Sequence, residues 1–282
     1  MAKIERNEIV SRLRKLINAN RAIIGTSAGI GIAAKCHAYA GADLIVVDNS
    51  ARFRMAGYGS YGGNFAYKNS TDMLYRQARD ILPLVADVPV IAGVTAAEPF
   101  RDIHTVISDM KEMGFSGICN SPSVGWYDPK NARNLTKLGL GYDQEVHMIA
   151  YAHQQDLLTA AICYNAEQAR EMACAGADII VAEIGLTGGG MIGAKALMPF
   201  EEARGLIQTI CDAARDVRED VIVLCHGGLL STPEAVSKML NALNGVNGFL
   251  GGSATDRIPM EQGIVRTAEG FKAARLYGGG HR

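Results

Sequence analysis

The chain reads as a single α/β domain, a (β/α)8 TIM barrel, and three observations carry that reading. Eight short apolar runs alternate with helical patterns along its length. Strands alternating with helices imply a parallel sheet, and eight such units close into a barrel. A length of 282 residues suits one barrel. The sequence also repeats itself: Ala40-Gly41-Ala42-Asp43-Leu44-Ile45-Val46-Val47 returns 135 residues later as Ala175-Gly176-Ala177-Asp178-Ile179-Ile180-Val181-Ala182. That offset is four units of roughly 34 residues, the size of one strand-helix unit. One domain over 1–282 is expected, with its core from about 20 to 275.

Each element follows from its local pattern. Residues 5–19 place Ile9, Leu13, Leu16 and Ile17 at helical spacing, which predicts a helix before the first strand, covering the barrel bottom. Strand 1, Ile23-Ile24, runs into Gly25-Thr26-Ser27-Ala28-Gly29, and strand 2, Leu44 to Val47, into Asp48-Asn49-Ser50. Strand 3, Val90-Ile91, runs into Gly93-Val94-Thr95, and strand 4, Gly117-Ile118-Cys119, into Asn120-Ser121-Pro122-Ser123. Strand 5, Leu158 to Ile162, ends in Cys163-Tyr164-Asn165, and strand 6, Ile179 to Ala182, in Glu183. Strand 7, Val221 to Leu224, ends in Cys225-His226-Gly227-Gly228, and strand 8, Phe249-Leu250, in Gly251-Gly252-Ser253. In both copies of the repeat, glycine closes a helix in a left-handed cap and an aspartate opens the strand, so Asp43 and Asp178 are expected at the bottom in structural roles. Residues 49–71 and 120–142 are too long for simple links. Their Tyr58, Tyr61, Trp126 and Tyr127 predict a lid or a contact between copies in a homo-oligomer.

Composition narrows the function classes. With 28 Lys+Arg against 29 Asp+Glu, no basic field favours nucleic acid or an acidic membrane. No apolar run approaches the roughly 20 residues of a membrane span, and the charged N-terminus lacks a signal-peptide core. Six cysteines without a C-x-x-C read as reduced, cytoplasmic thiols rather than disulfides or a structural zinc site.

Chemistry in this fold gathers where strands end. Glu183 and His226 end neighbouring strands and are candidates for a general acid/base pair, with Asp48 a third candidate catalytic group. The glycine-rich stretches after strand 6 (Thr187, Gly188, Gly189, Gly190) and after strands 7 and 8 (Gly227, Gly228, Gly252, Ser253) are candidates to cradle an anion on backbone N–H groups. Ser27, Asn120, Ser121 and Ser123 are read as hydrogen-bonding groups aimed at a ligand, and Arg52 or Arg54 as a cation carried by the lid. Cys163 and Cys225 lack an activating base. His37, His104, His147 and His153 fall in helical stretches with packing or surface roles, and His281 in a glycine-rich tail. No lysine ends a strand, which disfavours a Schiff base.

Ile24 to Gly31, Val46 to Arg52, Gly93 to Ala96, Glu183 to Gly190 and Cys225 to Gly228 together resemble the phosphoenolpyruvate hydrolase-like family of barrels, over about residues 5–275. The resemblance implies an enzyme that cleaves or hydrolyses a small anionic keto acid or a phospho- or phosphono-metabolite. A similar barrel occurs in some plant virus-resistance proteins, so a ligand-sensing or scaffold barrel is the competing expectation. Metal-dependent members of the wider superfamily hold Mg²⁺ on carboxylates at the ends of strands 2, 3 and 4. Here Asp48 matches the first position. Strand 3 ends in Gly93-Val94-Thr95-Ala96, its first acid being Glu98, and strand 4 in Asn120-Ser121. Mg²⁺ on Asp48 then requires further oxygens from substrate.

Overall fold

The computed structural model describes residues 3–276; His281 lies outside them. Eight parallel strands close into a barrel in sequence order: β1 (Ile23–Ser27), β2 (Leu44–Val47), β3 (Val90–Gly93), β4 (Gly117–Cys119), β5 (Leu158–Cys163), β6 (Ile179–Glu183), β7 (Ile222–His226) and β8 (Gly248–Gly251). Around them run α1 (Arg6–Asn18), α2 (Gly31–Tyr39), α3 (Asn49–Met55), α4 (Ser70–Ile81), α5 (Ile103–Met113), α6 (Pro129–Lys137), α7 (Tyr142–Gln154), α8 (Ala166–Cys174), α9 (Phe200–Arg215), α10 (Pro233–Asn241) and α11 (Arg257–Lys272). No described helix is long and apolar enough to cross a membrane.

The predicted bottom plug is α1. It buries Ile9 and Leu13 against the lower barrel residues Ile23, Leu44, Leu158, Ile179 and Ile222. The internal repeat is structural in both copies. Gly41 and Gly176 take φ +82 and +90 after α2 and α8, a region that favours glycine. The Asp43 carboxylate then accepts from Ile24 N (2.8 Å), and the Asp178 carboxylate from Thr159 N (3.0 Å). Each aspartate thus completes the ladder to the preceding strand, and Arg6 locks Asp178 further with bonds of 2.9 and 2.7 Å.

The two long connections are not structureless. Residues 49–71 hold α3, a 3-10 turn at Ser60–Asn64 and the start of α4; residues 120–142 hold a 3-10 turn at Val124–Trp126 and α6. They are stitched together over the mouth. Asn49 Nδ2 donates to Gly63 O (2.9 Å) and Asn64 Nδ2 to Ser123 O (3.2 Å), while Tyr61 meets Trp126 edge-on at 5.7 Å. Trp126 in turn packs on Tyr164 at the end of β5, 5.2 Å between centroids. Aromatic pairs at such spacings add to simple burial. α11 departs from the usual helix packing: it buries only Arg257 and Ile258 and leaves Ile264 and Phe271 exposed.

Candidate active site

The barrel mouth holds a cavity walled by β-strand ends and roofed by Trp126. Of the candidate site residues singled out in the sequence, it brings together Ser27, Asp48, Arg54, Ser121, Glu183, Thr187, His226, Gly252 and Ser253.

At its centre, β6 and β7 set Glu183 opposite His226 in register. Glu183 Oε2 lies 3.1 Å from His226 Nε2. The proton between them can be located from the outer contacts. His226 Nδ1 sits 2.6 Å from the Leu250 carbonyl oxygen, an acceptor only, so Nδ1 carries a hydrogen. Burial drives the Glu183 carboxyl well above the usual carboxylate range, opposed by the Gly185 N–H that donates to Oε1 at 2.7 Å. Burial also lowers the His226 pKa, against the Leu250 hydrogen bond that raises it. Both directions favour a neutral pair, with Glu183 protonated and donating to Nε2. Gly227 preserves this arrangement. Its φ is +86, and a Cβ there would lie 2.4 Å from Glu183 Oε1 and 2.3 Å from Gly185 O.

Asp48 caps α3: Oδ1 accepts from Ala51 N and Oδ2 from Ser121 Oγ, both at 2.6 Å. Across the mouth, Arg54 projects from α3 and donates through Nε to Asp256 Oδ2 at 2.7 Å. Its other nitrogens reach Ser60 Oγ (3.2 Å) and Ser27 Oγ. The pair is deeply buried, with side-chain exposures of 6% and 0%.

Several expected site residues lie elsewhere. Asn120 is fully buried behind β4, where Nδ2 donates to Glu145 Oε2 (2.6 Å) and Oδ1 accepts from Ile162 N (2.7 Å), so it is not aimed at a ligand in the cavity. Side chains alternate along a strand, and Cys119 and Ser121 take the cavity side instead. Arg52 is exposed and faces the groove by Gly29 and Phe53, because two residues on a helix turn about 200°. The glycine loops are largely closed on themselves. Gly188 N donates to Gly228 O (3.0 Å) and Gly228 N to Gly185 O (2.6 Å), so these amides are not free to cradle an anion. Gly189 and Gly190 are exposed outside the cavity. Cys163 and Cys225 are buried with thiols pushed up to about 12, which leaves them unsuited to nucleophilic attack.

Three groups escaped the sequence reading. Asp256 follows the strand 8 glycines and needed only a longer view of that loop. Glu145 is the sole acid on the buried face of α7, beside Met148, Ile149 and Ala152, and its spacing was the available signal. It accepts from Asn120 Nδ2, Ser123 Oγ (2.8 Å) and Val124 N (2.6 Å), anchoring the roof. Tyr164 lines the cavity, and its buried hydroxyl makes no hydrogen bond; neighbouring Ser123 is already committed to Glu145 and Gly125 N.

A Mg²⁺ site does not fit these residues. Asp48 already accepts one hydrogen bond on each oxygen, from Ala51 N and Ser121 Oγ, and stands alone: at Gly93, the end of β3, an added Cβ would stand 2.5 Å from Asp48 Cβ. A second carboxylate at that position is sterically excluded. Glu98 is engaged with Phe100 N (3.0 Å) and Asn69 outside the cavity. Among the described residues no three His, Cys, Asp or Glu side chains are grouped to hold a metal.

The sequence profile of the phosphoenolpyruvate hydrolase-like family matches residues 8–274. The chain belongs to that family. It is 43% identical over 272 residues to the ToMV resistance protein Tm-1(GCR237) of Solanum lycopersicum, and 43% over 268 residues to the ToMV susceptible protein tm-1(GCR26) of the same plant. Those matches cover 96% and 95% of this chain but 36% of each relative's length. In fold it is similar to phosphonopyruvate hydrolase in a complex with oxalate and Mg²⁺ (TM-score 0.59, 18% identity, 95% of this chain and 87% of that one). It is also similar to 2,3-dimethylmalate lyase, a PEP mutase/isocitrate lyase superfamily member (TM-score 0.60, 15% identity, 98% and 90%). At such identities the family member shares the barrel with these enzymes, while the site is its own.

Proposed function

We propose that the barrel mouth is an acid–base active site that cleaves or hydrolyses a bond next to the carbonyl of a small organic acid. The observation that carries this is the Glu183–His226 contact, a carboxyl 3.1 Å from an imidazole nitrogen inside a cavity. Removed from water, the pair gives a proton to a developing enolate or leaving group and takes one back; positioned general acids and bases contribute about 10²–10⁴-fold in rate. Arg54 orients the substrate carboxylate, and Asp48 with Ser121 accepts and orients its hydroxyl or a water. No step runs through a metal. The phosphonopyruvate hydrolase and lyase neighbours and the family membership support this reaction class.

The test is turnover of a panel of keto and hydroxy acids followed by NMR without added metal. Product formation that is lost in Glu183→Gln and His226→Asn supports the proposal; full turnover in both variants refutes it. The closed glycine loops and the single carboxylate at the strand 2 position favour a second reading, a ligand-sensing barrel. Saturable binding without product, coupled to a change in assembly, would point there. Assembly itself is proposed to be homo-oligomeric and cytoplasmic, with the exposed Tyr58, Phe65 and Tyr67 of the residue 49–71 connection and the apolar positions of α11 as contacts. Sedimentation showing only monomer at micromolar concentration would rule that out.

A further inference from the structure

The charge and donor inventory of the mouth defines its ligand more narrowly than the reaction class does. Arg54 is the one lysine or arginine among the described residues lining the cavity. Its charge is already matched by Asp256, and Asp48 adds a second carboxylate nearby. The Glu183–His226 pair, with one shared proton, contributes no net charge. The cavity is therefore acidic by one unit before any ligand enters. A guanidinium has five N–H donors, of which three go to Asp256, Ser60 and Ser27. Two remain, enough to grip one carboxylate. Three backbone amides of the glycine loops after β6 and β7 are already spent, that of Gly185 on Glu183 Oε1, of Gly188 on Gly228 O and of Gly228 on Gly185 O. The other polar side chains of the wall are mostly hydroxyls set among apolar residues: Ser27 and Ser121 donate to Asp256 and Asp48, and Thr187 and Ser253 also line the cavity.

We infer that this site takes a small keto or hydroxy acid bearing a single negative charge, and that it selects against phosphorylated, phosphono and dicarboxylate compounds. This rests on the acid–base reading of the same cavity but is separable from it. A second anionic group on the ligand would face Asp48 with no free cation to offset it. Like charges a few ångströms apart in a partly buried site repel enough to weaken binding by roughly tenfold or more per added charge. Asp48 is then a specificity-determining residue whose carboxylate repels the second charge.

The test is a calorimetric binding series on the intact protein without added Mg²⁺. Pyruvate, glyoxylate and glycerate represent one charge, oxaloacetate and malate two, and phosphoenolpyruvate and phosphonopyruvate more than two. At least one monoacid is expected to bind, and at least tenfold tighter than any dicarboxylate or phospho-compound. Asp48→Asn, which keeps the Oδ1 cap on α3, is expected to narrow that gap about tenfold. Tighter binding of phosphonopyruvate or oxaloacetate than of every monoacid would overturn the inference, as would no binding by any monoacid or a gap unchanged in Asp48→Asn. Repeating the series on Glu183→Gln separates the two proposals. If that variant loses turnover while dianions bind best, the acid–base reading stands and the charge rule falls; if monoacids bind best and turnover persists, the reverse holds.

Discussion

The two ends of this barrel treat buried acid in opposite ways. At the bottom, Asp43 and Asp178 finish strand ladders, and Asp178 is clamped by Arg6, so charge is matched and fixed. At the top, Asp48 and Glu183 share a cavity with one arginine, Asp256 is buried behind that arginine, and Glu183 copes with burial by keeping its proton. A carboxylate that completes a ladder stabilises the fold; a carboxyl that stays neutral beside an imidazole is poised for proton transfer. The repeat makes the contrast sharp, since β2 and β6 both begin with a ladder aspartate and both end with a cavity acid, Asp48 or Glu183.

Substitutions at the two ends should separate accordingly. Glu183→Gln is expected to cut turnover by about 10²–10⁴-fold with little loss of stability, because it removes a proton donor and no ion pair. Asp178→Ala should do the opposite. It strands Arg6 and the Thr159 amide, costing about 1.5–3 kcal/mol in chemical denaturation while leaving turnover near normal. An Asp178 variant that loses activity without losing stability would break the comparison. Arg54→Met should be the most destabilising change, by about 3–5 kcal/mol, since it leaves Asp256 buried and unpaired. A urea midpoint equal to that of the wild type would contradict the buried pairing.

Glu145 gives a subtler readout. Burial outweighs its three donors and raises its pKa from 4.5 to about 7. The folded state therefore holds this proton more tightly than the unfolded chain. Its contribution to stability is complete below pH 4.5 and is lost as pH rises towards 7. Melting temperatures across that window should decline more steeply in the wild type than in Glu145→Gln. Parallel curves would remove Glu145 from the account of how the roof is held.

Much of this was legible in the sequence because barrels concentrate function at strand ends. The eight runs, the α1 plug, the ladder aspartates and the facing of Glu183 and His226 all follow from strand order and register. What was not legible depended on side-chain direction. Asn120 and Arg52 sit one and two positions from residues that do line the cavity, and strand alternation or helix rotation turns them away. Glycine stretches after β6 and β7 looked open because sequence does not reveal which amides bond each other. Glu145 acts from a helix, where an acid on an apolar face is easily read as surface, and Asp256 from the loop after β8 just before α11. The long connections hide their order in aromatic contacts between loops distant in sequence.

The most direct test of the central claim is deuterium exchange at the carbon beside the carbonyl of pyruvate in D₂O, followed by ¹H NMR. It reads proton transfer by the mouth without requiring the physiological substrate. The wild type is expected to accelerate exchange well above the buffer rate, with the acceleration lost in Glu183→Gln and His226→Asn and kept in Asp178→Asn. No acceleration by the wild type, or acceleration that survives loss of Glu183 and His226, would contradict an acid–base site at this mouth.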